Sequence, residues 1–407
     1  MDDIKTPKKD DSVPLSEPTL QSIAQKPTRL EDEIIEDEII IDDSKEPTNM
    51  PKSPKKSKNI FKKLTKKQLI ILGVVCAIIV GFGIYYIFFT KDTTQPTTQN
   101  SITQEEPAPN QPPTSPLTGR EVASAAIAAR PITGIMIENS PEARPQSGLY
   151  QADMVIEAIA EGGVTRFMAV YQESQPDKIG PIRSARPYYV DYIAGLDGSY
   201  GHVGGSPEAL QDIKSLGIKD LDQFYNANAY TRLSSKSAPH NVYSDFARLD
   251  SLNQSKGYTS SKFTGFARKI DVPQTPTANT VNLILSGPKY NAQFSYDSAS
   301  NSYLRSQAGA PHKDEPTGKQ INPKVVIALV ANKGNDPDGY HTNYTTTGSG
   351  KVFVFQDGIV SVGTWEKPDR KSSLALKDSF GLPLKLNAGQ TWLTLVASAD
   401  DVRYDVQ

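Results

Sequence analysis

The chain contains few of the residues on which disulfide-linked and metal-dependent proteins rely. Of its 407 residues, one is cysteine, Cys76, and four are histidine. A single cysteine excludes an internal disulfide. No HExxH pattern and no Cys/His spacing typical of zinc is present, so we expect no bound metal. The G-x-S-x-G elbow and the Walker loop are also missing, which argues against an α/β-hydrolase and against Walker-type nucleotide binding.

Charge is balanced overall but unevenly distributed. The chain has 44 Lys and Arg against 46 Asp and Glu, a formal net charge of −2. An acidic run occupies residues 31–43, and a lysine-rich run occupies residues 52–67. Beyond residue 90 neither sign dominates, so no strong field for nucleic acid is expected there. We therefore expect no nucleic-acid partner.

One segment, residues 69–89, is apolar throughout and carries no charged side chain. Its length suffices to cross a hydrocarbon core of about 30 Å at about 1.5 Å per helical residue. Lysines crowd its N-terminal side, which predicts a cytoplasmic N-terminus and an extracytoplasmic remainder. Val74-Val75 before Cys76 do not form a lipoprotein cleavage site, so we expect an uncleaved anchor. The predicted location is the cell membrane, with a single pass.

Composition divides the rest of the chain. Residues 1–68 predict a disordered cytoplasmic tail, because they lack apolar periodicity. Residues 90–117, rich in Thr, Gln and Pro, predict a disordered linker. Two folded units follow, at 118–272 and 278–407. The predicted fold class is an α/β N-terminal ectodomain plus a mainly antiparallel β C-terminal domain, with a single N-terminal transmembrane helix.

In the first unit, strand candidates alternate with helix candidates, which indicates an α/β layer. Gly162-Gly163 predicts a two-residue hairpin turn. Ser206, followed by proline, is typical of a helix N-cap. The strand and helix candidates of this unit are 132–138, 152–161, 164–172, 184–196, 199–205, 206–216 and 244–256.

The second unit consists of short strand candidates separated by turn residues, which predicts a mainly antiparallel sheet or barrel. Trp365 and Trp392 lie in two of these candidates, where core packing is the favoured interpretation over sugar stacking. The candidates are 280–287, 292–297, 302–307, 324–332, 351–358, 359–367, 382–389 and 390–398.

An anion-binding pocket is the main functional hypothesis. Gly204, Gly205 and Ser206 form a glycine loop that leads into a helix, where free backbone N–H groups and the helix dipole favour an anion. Arg183 and Arg186 add guanidinium groups suited to carboxylate or phosphate.

Two further residues complete the candidate ligand set. They are Arg166, on the predicted hairpin, and Asn241, on a loop.

Alternatives to this pocket stay open. The glycine pair fits a simple tight turn equally well. The two arginines can instead pair with Asp153, Glu157 or Glu161.

A catalytic interpretation uses four other residues. His202 or His240 would serve as general acid or base, and Asp153 or Glu157 would hold Mg²⁺. Ser206 fits a helix cap better than a nucleophile.

A cluster in the second unit could extend this pocket, but we favour a structural interpretation. Its members are turn and surface residues in our interpretation: Tyr303, Arg305, His312 and Asp314.

Long motifs then suggest a family. In order they read RPITGIMIENSPEARPQSGLYQADMVIEAIAEGGVTRFMAVYQ, KIGPIRSARPYYVD, HVGGSPEAL, SAPHN, YLRSQAGAPHKDEPTGKQINPKVVIALV, GTWEK and LNAGQTWLTL. This set resembles the YerB-like lipoprotein family, whose two domains are of unknown function. The resemblance covers about residues 120–407. The resemblance implies an envelope location and no known activity. Relatives are usually lipoproteins, whereas residues 69–89 of this chain predict a membrane helix.

A second similarity concerns the order of elements around IGPIRSARPYYV and GGSPEALQDIKSLGIKDLDQF. This order is similar to that in LytR–CpsA–Psr glycopolymer transferases. The resemblance implies arginines that bind a polyprenyl diphosphate. Only Arg183 and Arg186 carry over. The family's Arg-Asp pair is not matched, because Ser184 follows Arg183.

Together these observations predict a membrane-anchored cell-envelope protein that binds an anionic envelope ligand, either a cell-wall polymer or a lipid-linked molecule. The alternative is a glycopolymer transferase or hydrolase that acts on a polyprenyl-diphosphate-linked glycan. No cofactor is expected, apart from Mg²⁺ under that alternative.

Overall fold

A computed structural model describes residues 112–336 and 339–405. The predicted tail 1–68, the apolar segment 69–89 and the first part of the predicted linker lie outside the described residues. Within the described ranges, no helix has both the length and the apolar character needed to cross a membrane.

The described chain is a mixed α/β structure with few helices and many strands. Its helices are α1 (Ala125–Ala128), α2 (Pro187–Gly195), α3 (Pro207–Leu216) and α4 (Phe246–Ser255). Its strands are β1 (Thr133–Glu138), β2 (Met154–Glu161), β3 (Val164–Tyr171), β4 (Ser199–Gly201), β5 (Lys219–Asp220), β6 (Thr231–Arg232), β7 (Val242–Tyr243), β8 (Arg268–Lys269), β9 (Thr280–Leu283), β10 (Ala292–Asp297), β11 (Ser302–Gln307), β12 (Ala310–Pro311), β13 (Val325–Val330), β14 (Lys333–Asn335), β15 (Thr342–Tyr344), β16 (Gly348–Gln356), β17 (Ile359–Lys367), β18 (Ala375–Lys377), β19 (Leu386–Asn387), β20 (Thr391–Val396) and β21 (Val402–Tyr404).

Ten strands form one sheet that draws equally on both predicted units. Its order is β18-β17-β16-β13-β20-β2-β3-β1-β4-β5. The seam between the halves is the parallel pairing of β20 with β2, in which Trp392 lies opposite Val155. Strand β20 also runs parallel to β13 on its other side. Because β20 is hydrogen-bonded on both edges, the two predicted units share one continuous ladder.

Two hydrophobic cores lie on opposite faces of this sheet. On one face, α2 and α3 cover Met136 of β1 and Met168 of β3. On the other face, a five-stranded antiparallel sheet of order β12-β11-β10-β9-β21 covers the neighbouring positions. There the ring of Phe294 packs against Trp392, with the ring centroids 6.3 Å apart. Successive side chains of a strand point to opposite faces, so each long central strand contributes to both cores.

Several local predictions are confirmed. Strands β2 and β3 pair antiparallel around Gly162 and Gly163, whose φ angles of 54° and 79° are both positive, as a primed hairpin turn requires. The side chain of Ser206 accepts a hydrogen bond from the N–H of Ala209, so it is a helix N-cap. That helix ends at Leu216, and its C-cap residue Gly217 has a left-handed conformation. Trp365 and Trp392 are buried, as core packing predicts.

Other predictions need correction. The strands of the second unit pair mainly antiparallel, as predicted, but β13 and β20 at its centre are parallel. The candidate strand 382–389 is reduced to β19, and the candidate helix 184–196 begins only at Pro187. The predicted linker overlaps the folded region, because Ser115 and Leu117 are buried. The domain limits themselves stay a prediction.

A buried ion pair joins the two sheets. One Nη atom of Arg305 in β11 lies 2.9 Å from each carboxylate oxygen of Glu157 in β2, and both side chains are fully buried. The indole Nε1 of Trp392 donates to the same carboxylate at 3.0 Å. The guanidinium also lies over the Trp392 ring, 4.5 Å from its centroid. Burial lowers the pKa of Arg305, and the Glu157 carboxylate opposes that shift.

His312 extends this polar cluster. Its Nδ1 accepts from the Arg305 guanidinium, and its Nε2 lies 2.8 Å from Oε1 of Gln146. Burial, followed by the nearby positive charge of Arg305, lowers the pKa of His312 well below 6.5. The imidazole is therefore neutral in the folded protein near neutral pH.

We predict that Arg305→Met lowers the free energy of unfolding by about 3–5 kcal/mol, because it leaves the Glu157 carboxylate buried without its cation. The double variant Glu157→Gln/Arg305→Met should recover much of that loss, since no unpaired charge remains. Urea denaturation of both variants and the parent gives the comparison.

The matched control is Arg248→Met, which breaks the Asp245–Arg248 pair on α4, where the arginine side chain is 48% exposed. Its effect should stay below about 1 kcal/mol. A double variant that is at least as destabilised as Arg305→Met alone contradicts the predicted coupling.

We also predict a pH-dependent loss of stability from His312. As the pH falls below 6.5, the unfolded chain binds a proton at this position and the folded chain does not, so stability decreases. The contribution reaches at most about 1.4 kcal/mol per pH unit. His312→Gln should flatten the slope of unfolding free energy against pH between pH 6.5 and 5, by half of that limit at pH 6.5 and by nearly all of it at pH 5; equal slopes in parent and variant reject the assignment.

Candidate functional site

A group of charged side chains collects where β1 ends. Glu138 is the last residue of β1 and lies opposite Arg166 of the neighbouring strand β3. Arg183 follows β3 on the connection to α2, and its N–H donates to the carbonyl of Met136 in β1. His240 comes from the loop before β7. The sheet therefore brings together residues that are up to 102 positions apart in the sequence.

Glu138 is the centre of this group and is buried. Its Oε2 lies 2.9 Å from Nδ1 of His240 and 3.4 Å from Nε of Arg183. Its Oε1 accepts a hydrogen bond of 3.0 Å from the hydroxyl of Ser140. Since His240 and Arg183 converge on one oxygen, they are direct neighbours.

Both neighbours reach solvent. The side chain of Arg183 is 23% exposed, and that of His240 is 22% exposed. Within residues 112–336 and 339–405, the terminal nitrogens of Arg183 donate no hydrogen bond, and Nε2 of His240 accepts or donates none. We call this pair, held by the Glu138 carboxylate, the Arg183–His240 site.

Two more arginines lie beside the site but are already engaged. Nε and Nη2 of Arg186 lie 3.1 and 2.7 Å from Oε2 of Glu161, and its Nη1 donates to the carbonyl of Ala185 at 2.6 Å. Arg166 pairs with the other oxygen of Glu161. The alternative interpretation, pairing with Glu161, therefore describes Arg186, whereas Arg183 pairs with Glu138 instead.

Electrostatics of the group favour an anion. Burial lowers the pKa of Arg166, and the charges of Arg186 and Arg183 lower it further. Three guanidinium groups face two carboxylates, those of Glu138 and Glu161. One positive charge remains unbalanced, and Arg183 is the most exposed of the three arginines.

The glycine loop is arranged differently from the prediction. The N–H of Gly204 donates to Oδ1 of Asp222 at 2.9 Å, so it does not point at an open anion site. The carbonyl of Gly204 accepts from Ala185 N–H and faces Nδ1 of His202 at 2.8 Å. Gly205 pairs with Ala185 in a short bridge. The expectation of a free N–H group is therefore wrong at Gly204, because the Asp222 carboxylate already accepts its hydrogen bond.

His202 is fully buried, with its other ring nitrogen 3.1 Å from Oδ1 of Asp220. Both of its nitrogens face oxygen atoms, so it holds the loop in place and does not reach solvent. Asn241 accepts a hydrogen bond of 3.2 Å from Arg232 and follows His240 in the chain. Of the two histidine candidates, the structure places only His240 at the group around Glu138.

The carboxylates considered for Mg²⁺ are occupied by donors. Oδ2 of Asp153 accepts from the backbone N–H groups of Gln172 and Glu173 at 2.6 and 2.9 Å. Burial raises the pKa of Asp153, and these hydrogen bonds oppose the shift. Both oxygens of Glu157 are bound to Arg305. A Mg²⁺ ion at either carboxylate has to displace these donors, and no cluster of three or more His, Cys, Asp or Glu in the described ranges is placed to hold a metal.

The sequence analysis missed the residues that hold the end of β1 in place by hydrogen bonds. The amide of Asn139 donates to Thr165 at 2.6 Å and accepts from Arg144 and Gln146 at 3.1 and 3.0 Å. Gln146 also donates to the carbonyl of Glu138 at 3.0 Å. The available signal was a run of polar residues immediately after a buried strand, which is where sites tend to form on a sheet.

The cluster assigned to turns and the surface is a further correction. Its members are buried in the interior: Tyr303, Arg305, His312 and Asp314. Arg305 and His312 connect Glu157 to Gln146, so they belong to the interior network that leads to the site.

Comparison with known proteins identifies the family. Residues 117–259 match the model "Protein of unknown function (DUF3048) N-terminal domain", and residues 281–393 match the corresponding C-terminal domain. A relative named "Putative lipoprotein YerB", from Bacillus subtilis (strain 168), is 32% identical over 292 residues, which cover 70% of this chain and 87% of the relative.

A solved structure agrees with this assignment. The crystal structure of YerB protein from Bacillus subtilis superimposes with a TM-score of 0.65 at 29% identity, and the match covers 72% of this chain and 99% of that chain. The resemblance drawn from the sequence motifs is thereby confirmed. The chain belongs to the DUF3048 family of YerB-like proteins.

Proposed function

We propose that this chain is a membrane-anchored extracytoplasmic protein of the cell envelope that binds an anionic ligand at the Arg183–His240 site. The ligand would be a phosphate- or carboxylate-bearing wall polymer or lipid-linked molecule.

Two observations support the anchored location. The relative from Bacillus subtilis is named as a lipoprotein, a class that acyl chains hold at the membrane surface. In this chain the apolar residues 69–89, preceded by lysines, would provide the anchor as a transmembrane helix. Both devices leave the folded part at a membrane.

The observation that carries the ligand proposal is the state of Arg183. Its Nε rests 3.4 Å from Glu138, while its terminal nitrogens donate to no described residue and reach solvent. A planar guanidinium with free terminal N–H groups can bind two oxygens of one phosphate or carboxylate. The Glu138 contact orients the group, and the excess positive charge around it favours an anion.

The other candidate residues could contribute less to ligand binding than Arg183. The other two arginine candidates, Arg166 and Arg186, would have to release Glu161 before either could bind a ligand. The likeness to LytR–CpsA–Psr transferases therefore depends mainly on Arg183 and stays a hypothesis. Asn241 and the loop at Gly205 and Ser206 stay candidates for contacts at the rim.

We predict that Arg183→Gln weakens binding of inorganic diphosphate by roughly tenfold or more, because each lost charge-assisted hydrogen bond contributes about 1.5–3 kcal/mol. Isothermal titration calorimetry on the detergent-solubilised full chain measures the change. The same variant should also retain less purified wall polymer in a sedimentation assay.

The control is Arg248→Gln on α4, a similarly charged and more exposed arginine that lies outside the site. Its binding should match the parent. Full affinity in Arg183→Gln, or no binding of diphosphate and wall polymer by the parent, rejects the proposal.

A second candidate function is transfer or hydrolysis of a diphosphate-linked glycan. The hydrogen bond between His240 and the buried Glu138 favours it, because a carboxylate that orients an imidazole is the arrangement found in general-base sites. Nε2 of His240 would take or give the proton, and Arg183 would stabilise charge that develops on the diphosphate.

Under this second candidate, His240→Gln should lower turnover of a labelled polyprenyl-diphosphate sugar by about 10²–10⁴-fold, since the proton-transfer group is removed. Binding of diphosphate should change far less, because Arg183 remains. Product formation by the parent and the variant, with and without Mg²⁺, measures the difference. No turnover by the parent eliminates this candidate and leaves the binding proposal standing.

A further inference from the structure

A tight loop after β18 exposes two large apolar side chains. Phe380 is 87% exposed and Leu382 is 61% exposed. They are separated by Gly381, whose φ of 80° turns the chain sharply. We call residues 378–383 the Phe380 loop. Exposed apolar side chains that lie together on a soluble domain mark contact sites for another surface.

The Phe380 loop is held in shape by its own hydrogen bonds. Oδ1 of Asp378 accepts from the N–H groups of Phe380 and Leu382 at 2.9 and 3.0 Å. The N–H of Asp378 donates to the carbonyl of Leu382 at 2.8 Å. Because the backbone is fixed in this way, the two apolar side chains are presented outward and do not fold back onto the domain.

Lysines flank the loop on both sides. Lys377 precedes it, but its Nζ is paired with the Glu366 carboxylate, so Lys385, which follows the loop and is exposed, is the cation that faces outward. The carboxylate of Asp378 inside the loop is turned toward backbone N–H groups. An apolar tip beside the exposed cation of Lys385 complements a lipid surface, where acyl chains accept the tip and anionic headgroups attract the lysine.

The loop also lies near the point where the chain enters the described domain. Strand β19, four residues beyond Leu382, leads to Gly389, whose N–H donates to the carbonyl of Thr118 at 2.8 Å. Arg268 of β8, which pairs with β19, donates to the carbonyl of Leu117. At about 3.3 Å per extended residue, the loop tip lies within about 30 Å of this entry segment.

We infer that the Phe380 loop inserts into an anionic lipid surface and gives the domain a second membrane contact. The inference rests on the membrane anchoring in the proposed function and is independent of the Arg183–His240 site. Such a contact would orient the domain on the membrane and set the height of the site above the lipid headgroups.

Fluorescence depth measurement tests this directly. The full chain with Cys76→Ser, reconstituted in vesicles of three parts phosphatidylcholine to one part phosphatidylglycerol, receives a single labelling cysteine by Ser379→Cys. This position is exposed and keeps both apolar side chains. An environment-sensitive dye there should show blue-shifted emission and quenching by acyl-chain nitroxide lipids. A dye at Ser255→Cys on α4 should show neither.

Two variants separate the contributions. Phe380→Ser together with Leu382→Ser should abolish the blue shift and the quenching. Lys385→Gln should reduce both in vesicles that contain phosphatidylglycerol and leave them unchanged in pure phosphatidylcholine. All three positions are exposed, so the variants retain the core.

An aqueous emission spectrum at position 379, equal to that at 255, overturns the inference and would leave the loop as a contact for another protein. Flotation of the same samples separates this result from failure of the anchoring. If the chain does not float with the vesicles, the proposed anchoring and this inference fall together. If the chain floats with the vesicles but the dye at position 379 has an aqueous emission spectrum, only this inference is rejected. Diphosphate binding by the same vesicles tests the Arg183–His240 site separately.

Discussion

The parallel pairing of β20 with β2 is the contact on which the rest of the structure depends. It inserts a strand from the end of the chain between β13 and β2, and so completes a sheet of ten strands. The same strand brings Trp392 to the Glu157 carboxylate and to the Arg305 guanidinium. A buried ion pair stabilises a fold only when its partners are all in place. The strand that forms the seam therefore also supplies an indole contact to each member of the ion pair.

This constraint extends to the candidate site. Strand β1 is held between β3 and β4, so Glu138 has a fixed position at the strand end. Asn139 and Gln146 join that end to His312, Arg305 and the interior. Arg183 and His240 therefore meet on a carboxylate that cannot relax away from them. Rigid support of this kind is what a binding or catalytic group needs.

Local features of the fold were predictable because short segments encode them. The hairpin at Gly162-Gly163 needs only two residues that tolerate positive φ, and the cap at Ser206 needs only a hydroxyl before a helix start. The direction of β20 was not predictable, since a six-residue apolar strand fits a parallel or an antiparallel neighbour equally well. The burial of Arg305 was not predictable either, because its partner Glu157 lies 148 positions away in the sequence.

The sequence by itself determined the family, the positions of most strands and helices, and the nomination of Arg183 and His240 among several candidates. Only the tertiary structure decided which charges meet: Arg186 with Glu161, Arg183 and His240 with Glu138, and Arg305 with Glu157 across 148 residues. The physical reason is the difference in sequence distance over which the two kinds of interaction act. Backbone preferences act over a few residues, whereas the partner of a buried charge is chosen by the sheet register that places two distant segments side by side.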